Sequence, residues 1–187
     1  MRKVQRSDVL DYVTYEERRE GIRREAMATK ASRRVHVGDA LTLLFENVVT
    51  IRYHVQEMMR TERIVREADI QRELDTYNEL IGGPGELGAT MLVEIPDPEQ
   101  RRQKLAAWLA VPRRVYVKRA DGTRVYATID ERQVDEAKIS AVHFLKFAVG
   151  VGAEVVAIGC DDPAIAAETT LAPEARAALA MDLSPDA

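Results

Sequence analysis

Hydrophobic positions in the first half of the chain recur at helical spacing. Between residues 40 and 63, Leu44, Val48, Ile51, Val55 and Met58 follow at steps of four, three, four and three, which marks one helix face. The stretch lacks Gly and Pro, and Asp39 precedes it as an N-cap, so the pattern predicts one long organising helix. Glu46, Thr50, Tyr53, Glu57 and Arg60 form its opposite, polar stripe. A second helix is expected at 66–80 from Ile70, Leu74, Tyr77 and Ile81, joined to the first as a hairpin around 62–67. Upstream, residues 15–34 are strong helix formers with a thin apolar face of Ile22, Ala26 and Met27. Val35-His36-Val37 reads as a short extended piece.

After Gly82-Gly83-Pro84-Gly85 the period changes to two. Ala89, Met91, Val93 and Ile95 share one face of a strand, with Thr90, Leu92 and Glu94 on the other. Asp97 and Pro98 open a helix carrying Leu105, Trp108 and Leu109 that stops before Pro112. Strands at 114–119 and 123–129 flank the Asp121-Gly122 turn. Residues 139–149 are apolar at both parities, which predicts a strand central in the sheet. A strand at 154–158 and short helices at 163–168 and 173–183 complete the chain. The expected class is α+β, with N-terminal amphipathic helices packed on a mainly antiparallel sheet of about five strands. The organisation is a helical region at 1–83 with a basic N-terminal arm, and a sheet region at 84–187 packed with it as one unit.

Composition narrows the function classes. At 46% hydrophobic and 31% charged, the 187 residues suit an ordinary soluble globular fold. The net charge of −4 argues against wholesale nucleic-acid binding. Residues 1–38 hold ten Lys or Arg against six Asp or Glu, a surplus of four that leaves −8 on the remainder. This arm is too short of apolar surface to stand as a free helix, so it is expected to dock on the acidic body. Docking should bring Arg23 or Arg24 to Glu62 or Glu57 and cover Ile22 and Met27. The lone Cys160 excludes an internal disulfide and a cysteine-only metal site. With no apolar run of membrane length, a cytoplasmic setting without membrane insertion is expected. A homo-oligomer is compatible with this composition.

Candidate chemistry concentrates on the helical half. Glu46 and Glu57 lie about 16 Å apart along one helix, too far to share a metal. A metal site from His54, Glu57 and Glu73 is conceivable across the hairpin. Its His-x-x-Glu order reverses the Glu-x-x-His of di-iron bundles, however. A network of Glu57, Arg60 and Tyr53 that sets how helices cross is the simpler expectation. Glu62 falls in line with the apolar stripe, which demands either a helix end in water or a cationic partner. Tyr77, Asn78, Glu79, the glycine loop, Glu86 and Glu94 could rim a ligand, although the loop fits no phosphate-binding pattern. His143 reads as a core histidine. Neither it nor Cys160, which precedes two aspartates, is expected to do chemistry.

The segments LLFENVVTIRYHVQEMMRTERI and QRELDTYNELIGGPGELGATMLVEI resemble a bacterial family known as domain of unknown function 3501. The resemblance extends over nearly the whole chain. Its signature matches at Phe45, Glu46, Asn47, Thr50, Gln56, Glu57, Met58, Arg60, Glu62, Arg63, Glu73, Tyr77, Asn78, Glu79, Glu86, Leu87 and Glu94. It departs at His54, where relatives carry Gln, and at Cys160-Asp161-Asp162-Pro163, where a His-Pro pair is usual. The resemblance implies a neighbourhood of rubrerythrin-like and iron–sulfur oxidoreductase-like proteins. An accessory or interaction protein of a redox or peroxide-defence system is therefore expected, with no cofactor favoured. The alternative is a small-molecule or metal-dependent enzyme with a carboxylate-rich site at the helix–sheet junction. Candidate functional residues are Glu46, Asn47, Thr50, Tyr53, Glu57, Arg60, Glu62, Glu73, Tyr77, Asn78 and Glu86.

Overall fold

The computed structural model describes residues 1–130 and 137–185 and has an α+β fold of three layers. A five-stranded sheet is ordered β1 (Arg34–Val37), β2 (Leu41–Glu46), β3 (Glu86–Val93), β7 (Val142–Ala148), β6 (Thr128–Ile129). A four-stranded sheet is ordered β5 (Arg124–Tyr126), β4 (Val115–Arg119), β8 (Val155–Cys160), β9 (Ala167–Thr170). Every strand pair is antiparallel. The two sheets pack face to face, and helices cover the other side of the five-stranded one. These are α1 (Tyr12–Ala31), α2 (Val48–Glu62) and α3 (Glu67–Asn78). Three shorter helices, α4 (Pro98–Ala107), α5 (Val111–Arg114) and α6 (Pro173–Asp182), close the ends of the sandwich. Among the described residues no helix is long and apolar enough to cross a membrane.

The long helix expected at 40–63 is two elements. Residues Leu41–Glu46 are strand β2, Asn47 caps the helix, and α2 starts at Val48. Asp39 caps nothing; it lies in the β1–β2 turn beside Gly38, whose φ is +60°. The cause is burial on both sides. All six β2 residues are buried, because one parity faces the second sheet and the other faces helices. With Leu44 apolar between Thr42 and Glu46, the period-two alternation of this strand is broken, and periodicity does not separate it from a helix. The first half is therefore not all-helical, and the sheet continues across the 83/84 boundary through β2–β3 pairing.

Other boundaries also move. The expected helix at 163–168 is a turn in which Asp162 Oδ1 accepts from Ala164 N at 3.0 Å, followed by β9 along β8. The apolar segment 139–149 yields β7, which lies between β3 and the edge strand β6; β3 is the central strand. The expected antiparallel sheet of about five strands is present, and among the described residues a second, four-stranded sheet accompanies it. The Asp97 cap holds as read, accepting from Gln100 N at 2.7 Å. Trp108 is buried as expected, but Leu109 is exposed. The α2–α3 connection is a hairpin, because Arg63 takes the left-handed conformation (φ 54°) and ends α2 sharply.

Two cores result. Between the sheets, Leu43, Phe45, Leu87, Met91, Leu145 and Phe147 meet Val115, Val117, Ile158 and Cys160. A smaller core joins Val4 and Val9 of the N-terminal segment to Ile51, Val55 and Met59 of α2 and Ile70, Leu74 and Ile81 around α3. Side-chain amides strap that segment down. Asn78 exchanges two hydrogen bonds with the Val4 backbone (2.8 and 2.9 Å), and Gln56 does the same with Leu10 (2.6 and 3.3 Å). Glycines set how closely α3 approaches β3. A Cβ on Gly88 would sit 1.8 Å from Leu80 O, and one on Gly82 would sit 2.0 Å from Glu86 O.

Candidate functional site

Strand β2 delivers Glu46 to the point where α2 begins. Asn47 Oδ1 accepts from Val49 N and Thr50 N, each at 3.1 Å, and Thr50 Oγ1 accepts from Asn47 N at 2.9 Å. This reciprocal cap satisfies the first turn of the helix. Thr50 Oγ1 donates in turn to Glu46 Oε2 at 2.6 Å, and Thr90 Oγ1 of β3 donates to Glu46 Oε1 at 2.8 Å. The carboxylate is 7% exposed, so these bonds and the positive end of α2 replace its water. Glu46, Asn47 and Thr50 thus act together, as a buried brace between strand, helix and sheet.

Glu57 and Arg60 face α1. Glu57 accepts from the Tyr15 hydroxyl at 2.5 Å and from Arg19 at 2.8 and 2.9 Å, while Arg60 pairs with Glu16 at 2.5 Å and Arg52 with Glu25 at 3.0 Å. The arm is docked, one turn earlier than expected: Arg19, not Arg23 or Arg24, reaches Glu57. Arginine bonding holds the Glu57 carboxyl below its ordinary range, and burial pushes the Tyr15 hydroxyl up. Tyr15, not Tyr53, supplies the hydroxyl of this crossing; Tyr53 lies under the Lys30 ammonium at 5.4 Å. Met27 stays 40% exposed, and Glu62 stands in solvent at the end of α2. Glu57 is thereby turned away from His54 and Glu73. Among the described residues no three His, Cys, Asp or Glu side chains are grouped to hold a metal ion.

On the other side of α2, the His54 ring packs tilted against Tyr77 of α3, with ring centroids 4.2 Å apart. Its Nε2 is buried and has no hydrogen-bond partner. Burial lowers its pKa, with the Glu46 charge opposing that effect and Lys30 adding to it. Glu73 and Tyr77 are both raised, by burial first; nearby Glu62 raises both, and Glu73 raises Tyr77 further. Tyr77 marks the wall of a cavity of about 620 Å³ between α3 and the outer face of the five-stranded sheet. Thr76, Tyr77 and Leu80 form the helix wall; Thr128, Phe144 and Lys146 form the sheet wall. Register places Phe144 beside Thr90 and Lys146 between Gly88 and Thr128, so the Glu46 brace lies just behind this cleft.

Sequence reading missed Thr90, Thr128, Phe144 and Lys146. The available signal was the parity of β7, where Phe144 and Lys146 alternate with core residues and so face the second, helical side. Asn78 and Glu86 each hold backbone groups of the chain. Asn78 straps the N-terminus, and Glu86 Oε2 accepts from Gly83 N at 3.1 Å, so the glycine loop holds a carboxylate of its own chain. Glu94 accepts from the Thr42 hydroxyl, which also contacts His36 Nδ1 at 2.8 Å on the far end of the sheet. His143 is a core residue whose pKa is lowered by burial, and burial pushes the Cys160 thiol up.

A family model described as a protein of unknown function, DUF3501, matches residues 3–183. The chain belongs to the DUF3501 family. This DUF3501 protein is also similar to a protein of unknown function from Burkholderia pseudomallei K96243, solved by crystallography at 1.90 Å. The two are 36% identical with a TM-score of 0.90, over 98% of this chain and 100% of the other. No curated protein matches. For the DUF3501 chain, the comparisons thus carry family and fold, and any function has to be argued from the site.

Proposed function

We propose that this protein binds a small amphipathic molecule in the cleft between α3 and the outer face of the five-stranded sheet. The observation that supports the reading is the cavity of about 620 Å³, within the range of small-molecule sites. It is walled by aromatic and aliphatic groups with hydroxyls, one ammonium and the carboxylates of Glu79 and Asp130 among them. His54, whose buried Nε2 has no hydrogen-bond partner, packs against Tyr77 from outside the cavity lining. Native mass spectrometry of gently purified protein tests the reading. A bound small molecule that is lost on Phe144→Ala supports it. An empty wild type that also shows no thermal shift with a broad metabolite collection overturns it.

A second proposal keeps a protein partner, an iron–sulfur oxidoreductase or rubrerythrin-like protein, as the family resemblance implies. The favouring observation is Arg18, Arg23 and Arg24 on α1, exposed and without an ion pair among the described residues. Exposed cations of this kind suit an acidic surface. Pull-down at low salt should recover one such partner, and charge reversal of all three arginines should abolish recovery. Recovery unchanged by the reversal would remove the α1 route.

A further inference from the structure

Lys146 is held more loosely than the best-paired arginines of this fold. Arg19, Arg33, Arg52 and Arg60 each meet a carboxylate at 2.5–3.0 Å. Lys146 Nζ makes a loose ion pair with Glu86 Oε2 at 3.6 Å, beyond hydrogen-bond reach. That same oxygen is already occupied by Gly83 N. The Lys146 ammonium therefore carries three donors that no described residue accepts, at the edge of an aromatic cleft. A second cation reinforces it. Lys3, whose ammonium donates to Asn78 O at 2.7 Å and to Ile81 O, lies close enough for the two charges to repel. Two carboxylates, Glu79 and Asp130, also border the cleft, and each is engaged in an interaction of its own.

The walls speak to shape. Tyr77 projects from the helix side and Phe144 from the sheet side of one cavity. Two aromatic side chains lining one cavity favour a flat ring system as its occupant. An ammonium with free donors at the rim favours an anionic group on that ring, since charge-assisted bonds are stronger where water is partly excluded. We infer that the cleft selects planar aromatic anions, the ring held between Tyr77 and Phe144 and the acidic group by Lys146. This deepens the ligand-binding reading above and rests on it.

Two fluorescent probes with the same ring system test the selection on the full chain. 1-Anilinonaphthalene-8-sulfonate carries an anion, and N-phenyl-1-naphthylamine is its neutral counterpart. The wild type should bind the sulfonate about tenfold tighter, a preference that shrinks as salt is raised. Lys146→Met should abolish the preference by weakening the sulfonate alone, and Lys146→Gln should repeat this if the first variant folds poorly. Lys118→Met, on the second sheet, should leave the preference intact. Phe144→Ala should weaken both probes about tenfold. Equal binding of the two probes in the wild type, with Phe144→Ala still weakening both, overturns the anion preference and leaves the cleft reading standing. Binding of neither probe, or affinities unmoved by Phe144→Ala, overturns the cleft and the inference together.

Discussion

On the face of the five-stranded sheet turned toward the second sheet, Leu43, Phe45, Met91, Leu145 and Phe147 are each at most 1% exposed. On the opposite face the same three strands carry Thr42, Glu46, Thr90, Phe144 and Lys146. The inner face is dry and closed, with Phe45 and Phe147 rings tilted against each other at 6.2 Å. The outer face meets its helices through carboxylate–hydroxyl bonds and one close backbone approach, and it leaves a cavity. Stability and binding capacity are thus laid on opposite sides of one sheet. Inner positions should report on unfolding, and outer positions on how the helical layer sits.

Truncating the inner face gives the largest expected effect. Phe147→Ala should cost about 3–5 kcal/mol, read as a shift in the urea midpoint at unchanged slope. A loss under about 1.5 kcal/mol would mean that the face is not the dominant core. Next comes the backbone contact of the helical layer. Gly88→Ala puts a Cβ against Leu80 O and should cost about 3 kcal/mol, with amide protection lost first in α3. Unchanged protection in α3 would break the claim that Gly88 sets the helix on the sheet.

The α1–α2 seam should weigh less. Glu57→Ala leaves Tyr15 and Arg19 without their acceptor and should cost about 1–3 kcal/mol. Because the folded Glu57 carboxyl lies below its unfolded value of 4.5, this contribution is present above pH 4.5. It is lost as pH falls through the lowered folded value. The difference between wild type and variant should therefore shrink in acid, and a pH-independent difference would argue against the ion pair. Glu73 has the opposite sign. Its folded pKa is raised, so its ionised form is penalised at neutral pH, beside Glu62. Glu73→Gln should stabilise by roughly 0.5 kcal/mol at pH 7 and by nothing well below pH 4.5. Destabilisation at pH 7 would show that the Glu73 charge is used.

Amphipathic elements with one buried side were legible in the sequence. The hairpin helices, the period-two strand over Ala89 to Val93 and the Asp97 cap all follow from local rules, and all are present. Elements buried on both sides were not. Leu44 interrupts the polar parity of Thr42 and Glu46, so the strand merged with the helix behind it. The docking of α1 was readable from its thin apolar face, but its register was not. One turn separates Arg19 from Arg23, and only the geometry of the crossing selects between them. The Glu46 brace was half visible, because Thr50 is four residues on while Thr90 arrives from a strand 44 positions away. Lys146 and Phe144 look like ordinary members of an apolar run until β7 has neighbours on both sides.

A single residue, Asn47, separates β2 from α2. Such a joint leaves no slack for changes of chain length. Each residue added to a helix turns everything behind it by about 100°. An insertion between Glu46 and Val48 would thus swing Ile51 and Val55 out of their small core and carry Glu57 off Arg19. A deletion there would do the same with the opposite hand. The turns at Gly38 and Gly122 sit at solvent-facing hairpin tips, where extra residues need only lengthen the loop. Natural length variation among relatives should therefore gather at those tips and spare the Glu46–Val48 joint, which fixes the phase between sheet and helices.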